Sequence, residues 1–150
     1  MSLRVRAAVA DDLAGVVTLE RAVAEAPHWA EREYAEIVVG SGIRRCLFVA
    51  EVAGALVGFA VGMVVADLGE LESVAVRADV RRSGTGWALC SAVVEWCRAH
   101  GAKALELEVR AASAGALALY ERLGFERVGL RRGYYREPVD DAVLMLLKLV

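Results

Sequence analysis

The stretch from Val74 to Ala88 places the strongest constraint on the fold of this chain. An apolar run is followed by Val80-Arg81-Arg82-Ser83-Gly84-Thr85-Gly86-Trp87-Ala88 and then by an amphipathic segment. This order predicts a strand, a glycine turn and a helix. Gly84 and Gly86 let main-chain N–H groups approach an anion, and the helix N-terminus adds unpaired amides and the positive end of its dipole. The turn is therefore a candidate pyrophosphate site, with a tight connection that binds nothing as the alternative.

The residues around the two glycines narrow the kind of phosphate site. Arg81 and Arg82 add positive charge, which suits a ligand with several phosphates better than a carboxylate metabolite. The Walker motif is excluded because Trp87 and Ala88 stand where it needs Lys and then Ser or Thr. The dinucleotide-binding fingerprint is excluded because Leu89 stands where its third small residue belongs.

Length and charge limit the class of protein. The chain has 150 residues, a length typical of one domain, and we expect a single domain over residues 1–150. Its 18 basic and 20 acidic residues nearly balance, which argues against a broad nucleic-acid-binding surface or a membrane anchor. The longest apolar run, Ala55 to Ala66, is shorter than the roughly 20 residues that a membrane-spanning helix needs. No secretory signal pattern opens the chain, so a cytoplasmic location is expected.

The cysteines and histidines argue against a metal site. Cys46, Cys90 and Cys97 form an odd set without a C-x-x-C pair, and the chain has only 2 histidines. We expect the thiols to be reduced core residues and predict that no metal is bound. The sequence does not indicate an oligomeric state.

Hydrophobic periodicity predicts alternating strands and helices joined by short turns. The first strands pair antiparallel, whereas the strand that ends at Val76 reaches Ala104 through a helix and should lie parallel to the next strand. The result is an α/β fold with a mixed sheet, and ligands of such sheets bind where parallel strands diverge. The predicted strands are Leu3–Val9, Cys46–Val52, Ala55–Ala66, Glu70–Val76, Ala104–Arg110, Phe125–Arg132 and Ala142–Leu149, and the predicted helices are Asp11 or Asp12 to Ala26, one from Ala30, one ending at His100, and Ser113–Leu123.

Three residues of these elements are candidates for proton transfer. Along the strand Ala104–Arg110, Glu106 and Glu108 share one face with Arg110. This face suits acid–base chemistry, and a solvated face with a Glu–Arg pair is the alternative. Tyr120 lies on the following helix, where its phenol either packs or donates a proton. In the helix after the glycine turn, Trp87 and Trp96 are predicted to pack against the sheet.

Several blocks together resemble the GNAT superfamily of acetyl-CoA-dependent N-acetyltransferases and, within it, the RimI-type ribosomal-protein alanine N-acetyltransferases. The resemblance spans nearly the whole chain. It implies a mostly antiparallel sheet of about seven strands with a splayed parallel pair and helices on both faces. The blocks are Pro27-His28-Trp29, Val74-Ala75-Val76, Arg81-x-x-Gly84-x-Gly86, Leu107-Glu108-Val109-Arg110-Ala111, Ala118-Leu119-Tyr120-Glu121-Arg122-Leu123-Gly124-Phe125 and Arg131-Arg132-Gly133-Tyr134-Tyr135.

The resemblance implies a role for each site residue. Glu108 matches the proton acceptor of the family and Tyr120 its proton donor. Glu72 lies where several other GNAT enzymes carry their base, so it is the rival of Glu108 and is placed on the substrate side. The implied acetyl-CoA residues are Val74, Ala75, Val76, Arg81, Arg82, Ser83, Gly84, Thr85, Gly86, Trp87 and Ser113, and the other implied substrate residues are Trp29, Tyr134 and Tyr135.

Two departures from the family pattern bear on the cofactor contacts. Ser113 stands where the family usually has Asn, and its shorter side chain still suits a helix cap. Arg81 stands where Gln is frequent in the family, and this change is compatible with phosphate binding.

The predicted activity is transfer of acetyl from acetyl-CoA to a protein N-terminal amine, with the N-terminal alanine of a small-subunit ribosomal protein as the first candidate. An α-amine, with a pKa of about 7.7–8.0, loses its proton more easily than lysine at about 10.4. A carboxylate base therefore suffices. The alternatives are acetylation of lysines or small-molecule amines, and a noncatalytic acetyl-CoA-binding module.

Overall fold

The computed structural model describes residues 2–23, 29–40, 42–81 and 83–150. The described chain forms seven strands and four α-helices, with short 3-10 turns at Ala10–Asp12 and Ala78–Val80. In chain order these elements are β1 (Leu3–Ala7), α1 (Leu13–Ala22), α2 (Glu31–Val39), β2 (Arg44–Val52), β3 (Ala55–Val65), β4 (Leu68–Val76), α3 (Thr85–Ala99), β5 (Ala104–Arg110), α4 (Ala114–Arg122), β6 (Glu126–Arg136) and β7 (Val139–Lys148).

All seven strands form one mixed sheet in the order β1-β2-β3-β4-β5-β7-β6. Every neighbouring pair is antiparallel except β4 and β5. This parallel pair is in register only from Leu68 opposite Ala104 to Glu70 opposite Glu106, after which the strands diverge. The fold class expected from the sequence, including the splayed parallel pair, is therefore confirmed.

A β-bulge at Glu72 changes which face each residue of β4 presents. Leu71 pairs with Gly62 of β3 and Ser73 pairs with Val61, so Glu72 is the extra residue. Before the bulge Leu71 packs under α3, whereas Ala75 packs on the opposite face against α1 and α2. An extra residue in one strand reverses the alternation and re-aims side chains.

The sheet separates two apolar clusters. One contains Leu89, Val93 and Cys97 of α3 with Leu117 of α4, and the other contains Val16 and Leu19 of α1 with Tyr34 of α2. Helices therefore cover both faces, as expected.

Gly58 on β3 allows α3 to approach the sheet closely. A Cβ at this position would lie 2.9 Å from both the main-chain oxygen of Ala75 and Cδ1 of Leu89. Contacts this short do not occur in real structures, so a larger residue would displace strand β4 or helix α3.

Two predictions about the first helix were wrong. Helix α1 ends at Ala22, where Val23 turns extended, instead of at Ala26, which lies outside the described residues. Asp12 occupies the N-cap position without a side-chain capping bond. Its carboxylate instead accepts hydrogen bonds from the Arg6 guanidinium at 2.8 and 2.9 Å and from the main-chain N–H of Val9.

The C-terminal hairpin is longer than predicted. Strand β6 continues to Arg136 and β7 begins at Val139, because Tyr135 pairs with Asp140 and Arg136 with Val139. Gly133, at a φ of +61°, lies in the irregular section of β6 that precedes these pairs. Tyr134 and Tyr135 consequently belong to β6.

The cysteines are buried and free, as expected. Burial raises the pKa of the Cys46 and Cys90 thiols to about 12, so both stay protonated and unreactive at neutral pH. Across the described ranges, no helix has the length and apolar character to cross a membrane.

Candidate active site

The glycine turn opens directly into helix α3. Gly84 has a φ of +87°, and a Cβ there would meet no atom within 4 Å, so its Cα borders open space. The Ser83 hydroxyl donates to the carbonyl of Val80 and lies 2.9 Å from Oγ1 of Thr85, which fixes the turn. The first amides of this 15-residue helix are thus held in place for an anion. Arg82 lies outside the described residues.

Gly86 has a different role from Gly84. A Cβ at Gly86 would lie 3.2 Å from Cδ2 of Leu119, so this glycine lets α3 pack closely on α4. Arg81 donates from Nε to the main-chain oxygen of Val76 at 3.2 Å and thereby ties the turn to the end of β4.

Strand β4 offers a polar main-chain edge that leads to this turn. Beyond Glu70, no described strand pairs with β4 on the side of β5, so the edge from Val74 to Val76 has no strand partner there, and the Val76 oxygen accepts from Arg81. An extended amide-containing arm fits along such an edge, and its phosphates fit at Gly84 and the N-terminus of α3. The unpaired edge and the glycine turn are therefore the candidate contacts for an extended ligand that ends in phosphates.

Two predicted cofactor residues differ from expectation. Ser113 is the N-cap residue of α4, but its side chain makes no capping hydrogen bond, so the predicted cap was wrong. Trp87 does not pack against the sheet: it is 41% exposed, and the Arg122 guanidinium lies 5.4 Å from its ring centroid. Trp96 is partly buried against the core, where it stacks on His100.

Glu108 extends from β5 on the face that α3 and α4 leave uncovered. Its side chain is 31% exposed, and its Oε1 lies 3.5 Å from Nη1 of Arg131 on β6. Arg110, two residues along the same strand, donates instead to the carbonyls of Pro138 and Glu137. The cation that faces Glu108 therefore comes from another strand, not from the Glu–Arg pair considered above.

Tyr120 lies on α4 with its ring edge-on to Phe125 at a centroid distance of 5.9 Å. Burial raises the pKa of its phenol, with Cys90 and Tyr135 adding smaller upward effects. The phenol therefore stays protonated at neutral pH and is able to donate a proton.

Tyr135 of β6 packs beside Arg110 and feels the charge of Glu108. Its pKa is raised by burial and by the nearby Glu108 carboxylate, while its phenol in turn raises the pKa of Tyr120. The Arg110 guanidinium lies 4.2 Å from the centroid of its ring. Strands β5 and β6 thus bring the Arg110 guanidinium and the Tyr135 ring together, next to the strand that carries Glu108.

Glu70 is a carboxylate that sequence reasoning missed. It lies opposite Glu106 at the last paired position of β4 and β5. Burial raises its pKa, with further upward effects from Glu72, Glu106 and Glu108 and an opposing effect from Arg45. The alternation in Glu70-Leu71-Glu72 was the available signal.

Glu72 is held in an ion pair. Its carboxylate accepts two hydrogen bonds from Arg45 of β2, at 2.9 Å from Nε and 3.3 Å from Nη2. Two hydrogen bonds from one guanidinium fix the position of this carboxylate, which suits a structural role better than proton transfer.

Trp29 lies just before α2 and contacts residues of both α1 and α2. Its main-chain N–H donates to Oε2 of the fully buried Glu20 at 2.6 Å, and the same oxygen accepts from the hydroxyl of Tyr34. The rings of Trp29 and Tyr34 lie 5.5 Å apart, and the Arg45 guanidinium lies 5.0 Å from the Trp29 ring centroid.

Tyr134 and Tyr135 lie on β6, away from Trp29 in the strand order of the sheet. Tyr134 is 47% exposed, lies edge-on to Tyr135 at 5.1 Å, and has the Arg131 guanidinium 5.4 Å from its ring centroid. The predicted aromatic residues therefore divide into two groups, Trp29 beside β2 and the tyrosines beside β5. In the described part of the chain, no group of three or more His, Cys, Asp and Glu side chains is arranged to hold a metal ion.

Comparisons with known proteins agree with this geometry. A sequence model of the acetyltransferase (GNAT) family matches residues 12–125. The ribosomal protein bS18-alanine N-acetyltransferase of Escherichia coli K12 is 37% identical over 123 residues, which cover 81% of each chain. An N-alpha-acetyltransferase of Sulfurisphaera tokodaii is 34% identical over 115 residues, covering 68% of each chain.

A solved structure extends the likeness to the whole fold. The crystal structure of the ribosomal-protein-S18-alanine N-acetyltransferase from Escherichia coli matches with a TM-score of 0.85 at 33% identity, covering 99% of this chain and 94% of that one. The fold and the site define an acyltransferase. The chain belongs to the GNAT acetyltransferase family and is similar to its RimI-type members.

Proposed function

We propose that this protein transfers the acetyl group of acetyl-CoA to the N-terminal amine of a protein, with the N-terminal alanine of ribosomal protein bS18 as its first candidate substrate. The observation that carries the proposal is that the diverging strands β4 and β5 lead to the glycine turn before α3 and to the partly exposed Glu108 carboxylate. The substrate class is supported by the names of relatives up to 37% identical.

The chain's own residues divide the work of binding acetyl-CoA. The free main-chain edge at Val74–Val76 binds the pantetheine arm, and the amides from Ser83 to Trp87 bind the pyrophosphate. Arg82 belongs to the same segment and adds charge. Gly84 has a φ of +87°, which glycine adopts readily, so a side chain at this position would strain the turn that binds the anion.

Glu108 and Tyr120 have complementary roles in the transfer. Glu108, directly or through a water, takes the proton from the attacking amine, whose nitrogen forms a bond to the acetyl carbonyl carbon. The carbon–sulfur bond breaks, and the Tyr120 phenol gives its proton to the departing thiolate. Burial suits Tyr120 to this role because it keeps the phenol protonated until the thiolate forms.

Three carboxylates face this region, and their partners support Glu108 as the base. Glu72 is held by two hydrogen bonds from Arg45. Glu70 lies deeper, and burial disfavours its charged form. Glu108 is 31% exposed, with one cation at 3.5 Å, so its carboxylate is more accessible than that of Glu72, which is 15% exposed.

The test uses a peptide with a free N-terminal alanine and an internal lysine, together with the same peptide blocked at its N-terminus. Consumption of acetyl-CoA is measured, and mass spectrometry locates the acetyl group. We expect acetyl only on the free terminus. Acetylation of lysine in both peptides would identify a lysine acetyltransferase. Binding of acetyl-CoA without turnover on these peptides or on small amines would identify a binding module.

The cytoplasmic location and the single-domain organisation stay predictions.

A further inference from the structure

Arg45 contacts both the Trp29 ring and Glu72, the extra residue of the bulge in β4. Its side chain is 18% exposed and lies between two groups. On one side Nε and Nη2 donate to the two carboxylate oxygens of Glu72, at 2.9 and 3.3 Å. On the other side its guanidinium lies 5.0 Å from the centroid of the Trp29 ring. A guanidinium held in this way offers a flat, fixed support to an aromatic ring.

The strand register places Arg45 level with Glu70, although Arg45 forms its hydrogen bonds with Glu72. Arg45 pairs with Met63 of β3, and Met63 pairs with Glu70 of β4, so the three lie in one row across the sheet. Glu70 is therefore the carboxylate in the same row as Arg45. The hydrogen bonds of Arg45 go instead to Glu72, the extra residue of the bulge, two positions further along β4. Arg45 thus forms hydrogen bonds with one of two neighbouring carboxylates.

The same contacts bear on the position of the Trp29 ring. Glu20 fixes the main chain of Trp29, and Tyr34 packs against one part of its ring. Neither contact supplies the cation beside the ring that Arg45 supplies. Removing Arg45 or its anchor Glu72 would leave the main chain in place and free the ring to adopt other rotamers.

We propose that Arg45 and Glu72 are positioning residues for the acceptor: Glu72 fixes Arg45, and Arg45 fixes the Trp29 ring against which the N-terminus of the acceptor peptide binds. This inference rests on the proposed function. It gives Glu72 a role that differs from that of a base, since Glu72 acts through Arg45 and exchanges no proton with the acceptor. Both residues therefore affect acceptor binding more than the chemical step.

The experiment compares Arg45→Met, Arg45→Lys, Glu72→Gln and the double variant Arg45→Met/Glu72→Gln with the wild-type protein. The acceptor is the peptide with a free N-terminal alanine, at saturating acetyl-CoA. Arg6→Met is the matched control, because Arg6 is also partly buried and makes a two-point contact, with Asp12, away from Trp29. Thermal unfolding and acetyl-CoA binding are measured for every variant.

We expect Arg45→Met to raise KM for the peptide about fivefold to thirtyfold, the loss that a partly desolvated cation–π contact implies, with kcat changed less than about threefold. Glu72→Gln acts in the same direction, and the double variant is no worse than Arg45→Met, because the two residues act in series. Arg45→Lys restores part of the loss. Arg6→Met lowers the unfolding temperature and leaves KM unchanged.

Two results would overturn the inference. A fall of about a hundredfold in kcat for Glu72→Gln at unchanged KM would make Glu72 the base. Variants of Arg45 that change only the unfolding temperature would reduce the pair to a structural contact. If the wild-type protein acetylates no N-terminus, the proposed function fails separately.

Trp29 fluorescence tests the contact between Arg45 and Trp29 even if the protein acetylates no N-terminus. With Trp87 and Trp96 replaced by Phe, Trp29 is the remaining one of the 3 tryptophans. Arg45→Met in that background should increase quenching of Trp29 fluorescence by acrylamide, and unchanged quenching would contradict the contact.

Discussion

Arg131 reaches Glu108 across strand β7. The two residues lie on β6 and β5, with Nη1 and Oε1 3.5 Å apart, although β7 runs between their strands. Arg131 pairs with Ala142 of β7, and this alanine is small and fully buried. On β5 the partner of Ala142 is Arg110, whereas Glu108 pairs with Leu144 of β7. The contact between Arg131 and Glu108 therefore runs diagonally across β7, and the cation that faces the proposed base comes from a strand that does not pair with β5.

Replacing Glu108 by Gln removes the proposed base with little change in shape. We expect kcat for the alanine peptide to fall about 10²- to 10⁴-fold, because general-base catalysis is lost, while acetyl-CoA binding is retained. Glu106→Gln is the matched control, since Glu106 lies on the same face of β5. Its kcat should change less than about fivefold. Equal losses in both variants would point to the summed charge of the face instead of one base.

Replacing Tyr120 by Phe keeps the packing against Phe125 and removes the hydroxyl. We expect kcat to fall about 10²-fold or more, with KM for acetyl-CoA unchanged, because the phenol acts on the departing thiolate. Because burial raises the Tyr120 pKa, the wild-type rate should fall at strongly alkaline pH, and the variant should lack this fall. An unchanged kcat over the whole pH range would remove Tyr120 from the mechanism.

Replacing Glu70 by Gln should stabilise the protein in a pH-dependent way. The pKa of Glu70 is raised in the folded state, chiefly by burial, so ionisation destabilises the fold once the pH exceeds the ordinary glutamate value. Glu70→Gln therefore gains stability at pH 7, by up to about 1 kcal/mol, and the gain disappears below about pH 4. Urea unfolding at both pH values tests this, and a gain independent of pH would contradict it.

Two glycine substitutions should have opposite effects on stability. Gly58→Ala places a Cβ 2.9 Å from a main-chain oxygen and from Leu89, and it should cost about 1–3 kcal/mol through overpacking. Gly115→Ala lies in α4 with no atom within 4 Å of the new Cβ, and it should gain about 0.4–1 kcal/mol through lower entropy of the unfolded chain. Denaturant unfolding of both variants gives the comparison. A loss at Gly115 as large as that at Gly58 would contradict the packing argument.

Local patterns predicted most of the elements. Strand β5 was predicted with its observed bounds, and the placement of Glu106 and Glu108 on one face followed from the period of two. Errors fell at the ends of elements, where long-range pairing decides. Strand β6 is longer than predicted because its last residues pair with β7, and Asp12 binds Arg6 instead of capping its helix.

The sequence by itself determined the mixed α/β fold, the glycine turn before α3 and the residue types available for acetyl transfer. Each of these follows from patterns among residues close together in the chain. Tertiary structure alone decided which cation meets which carboxylate. Arg45 and Glu72 are 27 positions apart, and Arg45 binds Glu72 although the strand register places it in the same row as Glu70. Such pairings depend on strand register, and a shift of one residue reverses every side chain beyond it, which no local pattern encodes.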